Sequence, residues 1–529
     1  MSKKQYLLVY FASLTFFGAV SLLQKTPGYM DAAYYYSVGQ QIATGKGFFE
    51  PFIWNYLSSP TILPAPAFTY WMPFAGILSA LGMFCFRSTT YLAARVPFIL
   101  LSAFIPLFNI YFSSLFSHKK AVHILAGVIG ITSGYYLPYL TITETFVPFF
   151  VLGAIFFILS DKLIREKQSG LQQRTFILLL GCTAGLMHLT RADGFFWLVG
   201  SWIIIFLLSN NEKNSLRSKV PLFGLSLLGY LVVMSPWYIR NLTQFKSLFP
   251  PGSNLAIYFT NYNDLFNFPV TQINAFHLFQ SGISQILIVR LNAGLSNLES
   301  LIGTVGEILL FPFMAAGIWY LRKEKLVQFS LVMLSLTFIV MSFVFPFAGQ
   351  RGGFFHSATA LQCFFWGITP IGFEYLITKL AVFRKWEPAR SLRLLGGTLI
   401  VGLFIFSAIL FVNKVFTSST TQKYTWDENS QNYKVLDRFL LQSGANSDQI
   451  VMVNDSPGYY AATGRAAIQM TSGSIESDIA AMKQFGATYL LIDDNHSSQL
   501  DPFFQNPVNY NSLIIYAKFK DFVIYKLGN

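Results

Sequence analysis

Long apolar runs alternate with short basic clusters along most of this chain, and the alternation predicts a bundle of membrane-spanning helices. A helix that crosses the hydrocarbon core of a bilayer needs about 20 mostly apolar residues, and lysine and arginine collect in cytoplasmic loops. The basic clusters contain Lys3-Lys4, His118-Lys119-Lys120, Lys162 with Arg165, Lys167 and Arg174, Lys213 with Arg217 and Lys219, Arg322-Lys323 with Lys325, and Lys379 to Arg393. If all of them are cytoplasmic, the chain crosses the membrane an even number of times between neighbouring clusters.

The runs that satisfy this rule give about eleven crossings with a cytoplasmic N-terminus. The predicted spans are residues 6–23, 92–116, 121–140, 145–160, 176–190, 195–209, 220–238, 300–321, 327–347, 356–378 and 395–413. The apolar segment 66–86 is left over. As a full crossing it would place every later cluster outside, so we interpret it as interfacial or re-entrant, although a further crossing elsewhere would also restore parity.

Lys3 and Lys4 also suit the start of a signal peptide, but no small-x-small cleavage pattern precedes Gln24, which favours an uncleaved first helix. Three longer segments are then predicted to be external: the first loop (residues 24–91), the second loop (residues 240–299) and the C-terminal segment (residues 416–529). Within the second loop, the apolar stretch 283–289 is predicted either to lie along the membrane and close over a lipid substrate or to pack on the bundle.

The C-terminal segment differs from the rest of the chain because it is polar and its apolar runs are short. Strand patterns at 450–454, 488–493, 512–518 and 521–526 surround helical patterns at 432–443 and 475–485, which is typical of a small α/β domain. Asp455, Asp493 and Asp494 stand at the ends of predicted strands, where loop capping is more typical than binding. The predicted division is a membrane domain, residues 1–415, and an extracytoplasmic α/β domain, residues 416–529.

Composition excludes a soluble fold for the whole chain. Of 529 residues, 53% are hydrophobic and 12% are charged, about half the charged fraction of soluble domains. The net charge of +13 would suggest nucleic acid in a soluble protein, but here the basic residues are explained by topology and no nucleic-acid partner is expected. Cys85, Cys182 and Cys363 are far apart and fit neither a zinc spacing nor a disulfide framework.

Charged residues gather at the predicted external ends of the spans, and this grouping predicts an active site there. Cations suit a phosphate or pyrophosphate, and a carboxylate beside them suits a general base. Singly, each residue also suits helix capping or snorkelling, so the grouping carries the prediction. The candidates are Asp31, Glu144, Asp193, Lys46, Arg191, Arg240, Arg351 and His356. His356 with a carboxylate also suits a divalent metal, but Lys and Arg alone can neutralise a phosphate, so no cofactor is certain.

Five short motifs in this order resemble those of the GT-C membrane glycosyltransferases, and more narrowly the bacterial relatives of dolichyl-phosphate-mannose protein mannosyltransferases and lipid A aminoarabinose transferases. The motifs are residues 31–35, 45–47, 189–194, 236–241 and 351–357. The layout resembles the family over about residues 1–415, and the C-terminal segment resembles a domain attached to many members. One departure leaves the subfamily open: many members carry Asp-Glu in the first loop, whereas Ala32 follows Asp31 here.

The resemblance implies an inverting transfer of a sugar from a polyprenyl phosphate to a hydroxyl of a lipid, glycan or protein acceptor, at the outer face of the plasma (inner) membrane. Asp31 is then the general base and Glu144 a second acid. The expected donor-phosphate residues are Lys46, Arg191, Arg240, Arg351 and His356. The alternative is a transporter or flippase of a lipid-linked substrate, but ionisable residues at helix ends rather than at mid-membrane favour the enzyme.

Overall fold

The computed structural model describes residues 2–166, 170–208, 216–270, 273–417 and 425–528, so Lys167 and Lys213 of the basic clusters lie outside the described residues. Helices dominate the chain up to residue 417. They are α1 (Lys3–Ser21), α2 (Met30–Ala43), α3 (Phe74–Phe86), α4 (Tyr91–Ser102), α5 (Ile105–Ser114), α6 (Lys120–Thr132), α7 (Phe146–Arg165), α8 (Gly170–Thr190), α9 (Phe196–Leu207), α10 (Leu216–Phe245), α11 (Ala275–Gln280), α12 (Ile283–Ser300), α13 (Phe311–Tyr320), α14 (Lys325–Ile339), α15 (Pro346–Ala348), α16 (Phe354–Phe383) and α17 (Pro388–Val415).

Five helical stretches among the described residues are long and apolar enough to cross a membrane: Tyr91–Ser114, Phe146–Arg165, Arg217–Phe245, Lys325–Val344 and Pro388–Val415. A helix overlaps each of the other predicted spans as well. The number of crossings stays a prediction. The leftover segment 66–86 contains α3, whose 13 residues extend roughly 20 Å, less than the hydrocarbon core of a bilayer.

Helix α16 forms the centre of the bundle, and nearly all of its first 20 residues are buried. It contacts α5, α6, α7 and α13. Gly153 of α7 permits one of these approaches, because a Cβ at this position would lie 2.1 Å from the carbonyl oxygen of Ala360. Small residues at such crossings bring helix backbones close enough for extensive van der Waals contact, which is the main attraction between helices in a bilayer. The first residues of α16 are thereby fixed in position.

The first loop contributes three short strands, β1 (Phe49–Glu50), β2 (Phe52–Ile53) and β3 (Ala65–Pro66). The C-terminal segment contributes the other strands and four helices. These are β4 (Ile450–Val453), β5 (Ala467–Gln469), β6 (Ala487–Asp493), β7 (Leu513–Lys518), β8 (Phe522–Leu527), α18 (Glu428–Gln442), α19 (Ser456–Thr463), α20 (Ile475–Phe485) and α21 (Asp501–Gln505). The four strands and two helices predicted for this segment are confirmed in position.

One sheet joins the first loop to the C-terminal segment. Its strand order is β2-β5-β4-β6-β8-β7, with parallel pairing from β2 to β6 and antiparallel pairing beyond. Alternate residues of β4 face opposite sides: Val451 and Val453 pack with α18 and α19, and Met452 packs with α20. The edge strand β2, which pairs Phe52 with Ala467, was not predicted.

Candidate active site

Three of the predicted site residues converge at one point of the bundle. Asp31 lies in the first turn of α2, Glu144 precedes α7, and His356 lies in the first turn of α16. One side-chain oxygen or nitrogen of each lies within 4.8 Å of the others, and Nδ1 of His356 is 3.6 Å from Oε1 of Glu144. Residues far apart in the chain thus form a compact group of two carboxyls and an imidazole.

Hydrogen bonds fix the orientation of Glu144, which is only 1% exposed. The backbone N–H and the hydroxyl of Thr145 donate to its Oε1 at 2.6 and 2.7 Å. The hydroxyl of Tyr29 donates to its Oε2 at 3.4 Å. Sequence reasoning did not select Thr145 or Tyr29, although each stands within two residues of a selected acid.

The two carboxyls influence each other's protonation. Desolvation raises the pKa of Asp31 well above its ordinary value, the negative charge of Glu144 raises it further, and the positive charge of Arg191 lowers it. Burial also raises the pKa of Glu144, against the opposing effect of the donors of Thr145 and the charge of Arg191. Neighbouring carboxyls in an apolar site hold a proton more readily than isolated ones do, so the pair is suited to accept one.

Arg191 links two helix ends beside this group. Its Nε is 2.9 Å from Oδ1 of Asp193, and its Nη2 donates to Oγ of Ser357 at 3.2 Å. Arg191 follows α8 and Ser357 belongs to α16. Part of its donor capacity is therefore taken up within the protein.

Arg351 lies in an irregular turn just before α16, where Gly352 has a φ of +108°, a conformation that glycine adopts without strain. Its guanidinium carbon stands 4.6 Å from the ring centre of Tyr262, over the ring face. Tyr262 belongs to the second loop, and nothing in the sequence pointed to it as a site residue.

A cavity of about 550 Å³ lies beside Asp31 and His356 and extends to Arg191 and Arg351. This volume lies in the range of small-molecule sites, which are mostly apolar with a few convergent polar groups. Its walls carry Asp31, Arg191, Asp193, Arg351 and His356. The aromatic part of the lining is Tyr35, Trp54, Phe68, Tyr70, Trp71, Phe195, Phe196, Trp237, Tyr238, Phe249, Tyr262 and Phe345.

Two of the predicted phosphate residues lie away from the cavity wall. Lys46 follows the end of α2 and is exposed. The guanidinium of Arg240 donates to the carbonyl oxygen of Ala67 at 2.7 Å and to that of Phe48 at 3.4 Å, and it stacks 4.8 Å from the ring centre of Trp237. Arg240 thereby connects α10 to the first loop.

The group formed by Asp31, Glu144 and His356 fits a divalent metal. Carboxylate oxygen and imidazole nitrogen together suit zinc, manganese or iron, and the compact spacing of the three ligand atoms matches a single ion. Such an ion, when bound, would supply positive charge to oxygens of a substrate phosphate. It would also weaken the Asp31 carboxylate as a proton acceptor, so metal binding and proton transfer are alternative roles for Asp31.

No protein-family model and no curated protein sequence matches the chain. Among solved structures, ArnT from Cupriavidus metallidurans bound to undecaprenyl phosphate is 9% identical, with a TM-score of 0.58 over 99% of this chain and 98% of that one. The oligosaccharyltransferase AglB from Archaeoglobus fulgidus, in complex with an inhibitory peptide and a dolichol-phosphate, is 14% identical, with a TM-score of 0.56 over 93% of this chain and 69% of that one. An Archaeoglobus fulgidus oligosaccharyltransferase in complex with zinc and sulfate is also 14% identical, with a TM-score of 0.56 over 92% of this chain and 68% of that one.

The structural similarity extends over the bundle and the C-terminal segment together. Because the sequence identities are so low, the similarity shows the fold alone. It agrees with the resemblance that the sequence motifs predicted. The chain has the fold of the GT-C membrane glycosyltransferases.

Proposed function

We propose that the protein is a glycosyltransferase that moves a sugar from a polyprenyl-phosphate donor to an acceptor hydroxyl, at the external face of the plasma (inner) membrane. One observation carries the proposal: Asp31 shares a single cavity with Arg191 and Arg351, in a GT-C fold. The solved ArnT holds undecaprenyl phosphate and AglB holds a dolichol-phosphate with a peptide. These neighbours support a lipid-linked donor and a separate acceptor that is a lipid, a glycan or a protein.

The proposed reaction is a single displacement at the anomeric carbon of the donor sugar. The acceptor oxygen forms a bond to this carbon, and the bond from the carbon to the phosphate oxygen breaks with its electron pair leaving on the phosphate. The hydroxyl proton passes to the carboxylate of Asp31. Attack from the face opposite the leaving group inverts the configuration of the carbon, as a single displacement does in glycosidases.

The cations of the cavity stabilise the leaving group. A departing polyprenyl phosphate gains negative charge on its oxygens, and fixed guanidinium groups stabilise that charge better than water does. We assign this role to Arg351 and, with the donor capacity left free by Asp193, to Arg191. Because a phosphate is already a good leaving group, a strong general acid is not needed.

Glu144 and His356 are assigned to support of the base. Glu144 is held by Thr145 and Tyr29, and its charge lies close to Asp31. A fixed negative charge beside Asp31 makes its carboxylate a stronger base. His356 closes the group on the side of α16, within reach of a substrate phosphate in the cavity.

The proposal is tested by incubating the purified protein with a panel of polyprenyl-phosphate sugars and candidate acceptors. We expect one donor to be consumed, and Asp31→Asn to lower kcat by roughly 10²- to 10⁴-fold, the usual contribution of a general base, with donor binding retained. Transfer by a correctly inserted Asp31→Asn variant at the wild-type rate would refute Asp31 as the base. Movement of the lipid between leaflets without sugar transfer would favour the transporter.

A further inference from the structure

The start of α18 is bound to the chain just before α2, the helix that carries Asp31. The backbone N–H and the hydroxyl of Thr26 both donate to Oδ1 of Asp427, at 2.9 and 2.8 Å. The backbone N–H of Lys25 donates to Oδ2 of Asp427 at 3.4 Å. In return, Nε1 of Trp426 donates to the carbonyl oxygen of Thr26 at 2.9 Å. Four hydrogen bonds thus join segments about 400 residues apart in the sequence.

The Trp426 ring also packs directly against the residues that lead into α2. Gly28 has a φ of +85°, and a Cβ at this position would lie 2.2 Å from Cε2 of Trp426, so the ring occupies the space that a side chain would need. The ring centre of Trp426 stands 6.0 Å from that of Tyr29. Tyr29 in turn donates to Glu144, and α2 begins at the next residue. Only the side chain of Tyr29 therefore stands between Trp426 and the group formed by Asp31, Glu144 and His356.

A second set of contacts fixes the other end of α2 and the loop that follows it. Gln41 donates from Nε2 to the hydroxyl of Tyr460 at 2.9 Å, and the hydroxyl of Ser456 donates to the carbonyl oxygen of Ile53 in β2 at 2.9 Å. Just beyond β2, the ring of Trp54 stacks on that of Trp71 with centroids 3.8 Å apart. Both tryptophans line the cavity.

The gap between the two segments is too small to be a substrate site of its own. A cleft lined by Thr26, Tyr29, Trp426 and Tyr433 encloses about 20 Å³. That is room for about one water molecule and not for a sugar. The contact between the C-terminal segment and the first loop is therefore suited to holding the loop rather than to binding a substrate.

We infer that Trp426 and Asp427 are positioning residues for Asp31, so that the C-terminal segment is needed to form the active site rather than attached to it as an accessory. The inference rests on the proposed function, because Asp31 matters as a general base only if sugar is transferred. Asp427 fixes the backbone at Thr26, Trp426 fixes Gly28 and Tyr29, and α2 then starts in a defined place. Reacting groups displaced by about 1 Å can lose roughly 10² in rate.

The test compares variants of the full-length protein in kcat, in donor affinity and in hydrogen exchange of residues 25–36. Asp427→Ala removes the three bonds to Lys25 and Thr26. Trp426→Phe keeps a ring against Gly28 but loses the bond to Thr26, and it serves as the conservative variant. The control is Asp437→Asn, which weakens an ion pair inside the C-terminal segment: Asp437 lies 2.5 Å from Nε of Arg465 and accepts from Tyr459 at 3.1 Å.

We expect Asp427→Ala to lower kcat by roughly 10- to 100-fold, with donor affinity unchanged and exchange of residues 25–36 increased. Trp426→Phe should retain most of kcat, and Asp437→Asn should change kcat by less than about 2-fold.

Equal losses of kcat in Asp427→Ala and Asp437→Asn would mean that both variants act by destabilising the C-terminal segment, and this result would overturn the inference. An unchanged kcat in Asp427→Ala, measured while the wild type transfers sugar, would also overturn the inference. The proposed function would stand in that case. If the wild type transfers nothing, the proposed function fails, and unchanged exchange in Asp427→Ala would then separately overturn the positioning role.

Discussion

Arg351 is the cation of the cavity whose geometry best suits binding of a donor phosphate. It stacks on Tyr262, and no carboxylate among the described residues forms an ion pair with it, whereas Arg191 is paired with Asp193. A planar guanidinium held on an aromatic face keeps its N–H groups directed outward. Lys46, which the sequence motif also selects, is exposed and does not line the cavity.

Arg351 and Lys46 can be compared as a matched pair of variants, because only Arg351 lines the cavity. Arg351→Gln should lower kcat/KM for the donor by roughly 10- to 100-fold, because the lost charge-assisted hydrogen bond to the departing phosphate contributes about 1.5–3 kcal/mol. Lys46→Gln should change it by less than about 2-fold, and both are measured by initial rates against donor concentration. Comparable losses of kcat/KM in the two variants would contradict the placement of the phosphate beside Arg351.

At the residue scale, the sequence pattern selected side chains beside helix ends, and their roles stay predictions. Asp31, Glu144, Arg191, Arg351 and His356 meet because the order of the spans brings those helix ends to one side of the bundle. The direction of a side chain in a loop depends instead on tertiary packing. The carbonyl groups that Arg240 contacts lie about 170 to 190 residues earlier in the chain, and no local pattern reveals them.

At the scale of elements, a strand can be predicted from the sequence when it is long enough to show a pattern of apolar residues. Strands β6, β7 and β8 have six or seven residues each, and their apolar runs indicated them. Strands β2 and β5 have two and three residues, too few to show a period. The place of β2 in the sheet therefore required the structure.

Helix α20 carries a buried acid in its first turn that couples the stability of the C-terminal segment to pH. Oδ1 of Asp478 accepts from the backbone N–H of Thr471 at 2.7 Å, and burial raises the pKa of Asp478 to about 7. Burial also raises the pKa values of Asp455 and Asp493 to about 6. Unfolded aspartate titrates near 3.9. The folded state therefore binds more protons than the unfolded state between about pH 4 and pH 7, and stability falls as pH rises through that window.

We expect the C-terminal segment to resist urea better at pH 5 than at pH 8, which pulse proteolysis of residues 450–493 measures. Asp478→Asn keeps an oxygen acceptor for Thr471 and removes the titrating group, so it should remove up to about 3 kcal/mol of the pH dependence. Asp448→Asn, at an exposed position, should leave the dependence unchanged. An identical pH dependence in wild type and Asp478→Asn would contradict the assignment.

At the scale of the whole molecule, three distant parts of the chain build the site together. The first loop supplies Asp31 and aromatic walls, the bundle supplies Glu144, Arg191 and His356, and the C-terminal segment holds the first loop through β5, Trp426 and Asp427. The division of the chain after residue 415 stays a prediction. The sheet nevertheless crosses that division, since Phe52 pairs with Ala467. Pairing over such a separation leaves no local trace in the sequence. The first loop and the C-terminal segment were each predicted to be external, but neither β2 nor the contact between them was predicted.

The same arrangement makes the topology testable at two positions. Because the C-terminal segment is bonded to the first loop, both must lie on the side of the membrane where the Asp31 cavity opens. In a background with the native cysteines changed to serine, a membrane-impermeant maleimide should label Ser443→Cys in intact cells. It should label Lys323→Cys, in a predicted cytoplasmic cluster, only after the membrane is permeabilised. Both positions are exposed, so access to solvent does not limit either reaction. The reverse pattern would place the cavity in the cytoplasm, and a donor carried on the outer leaflet would then be out of reach of Asp31.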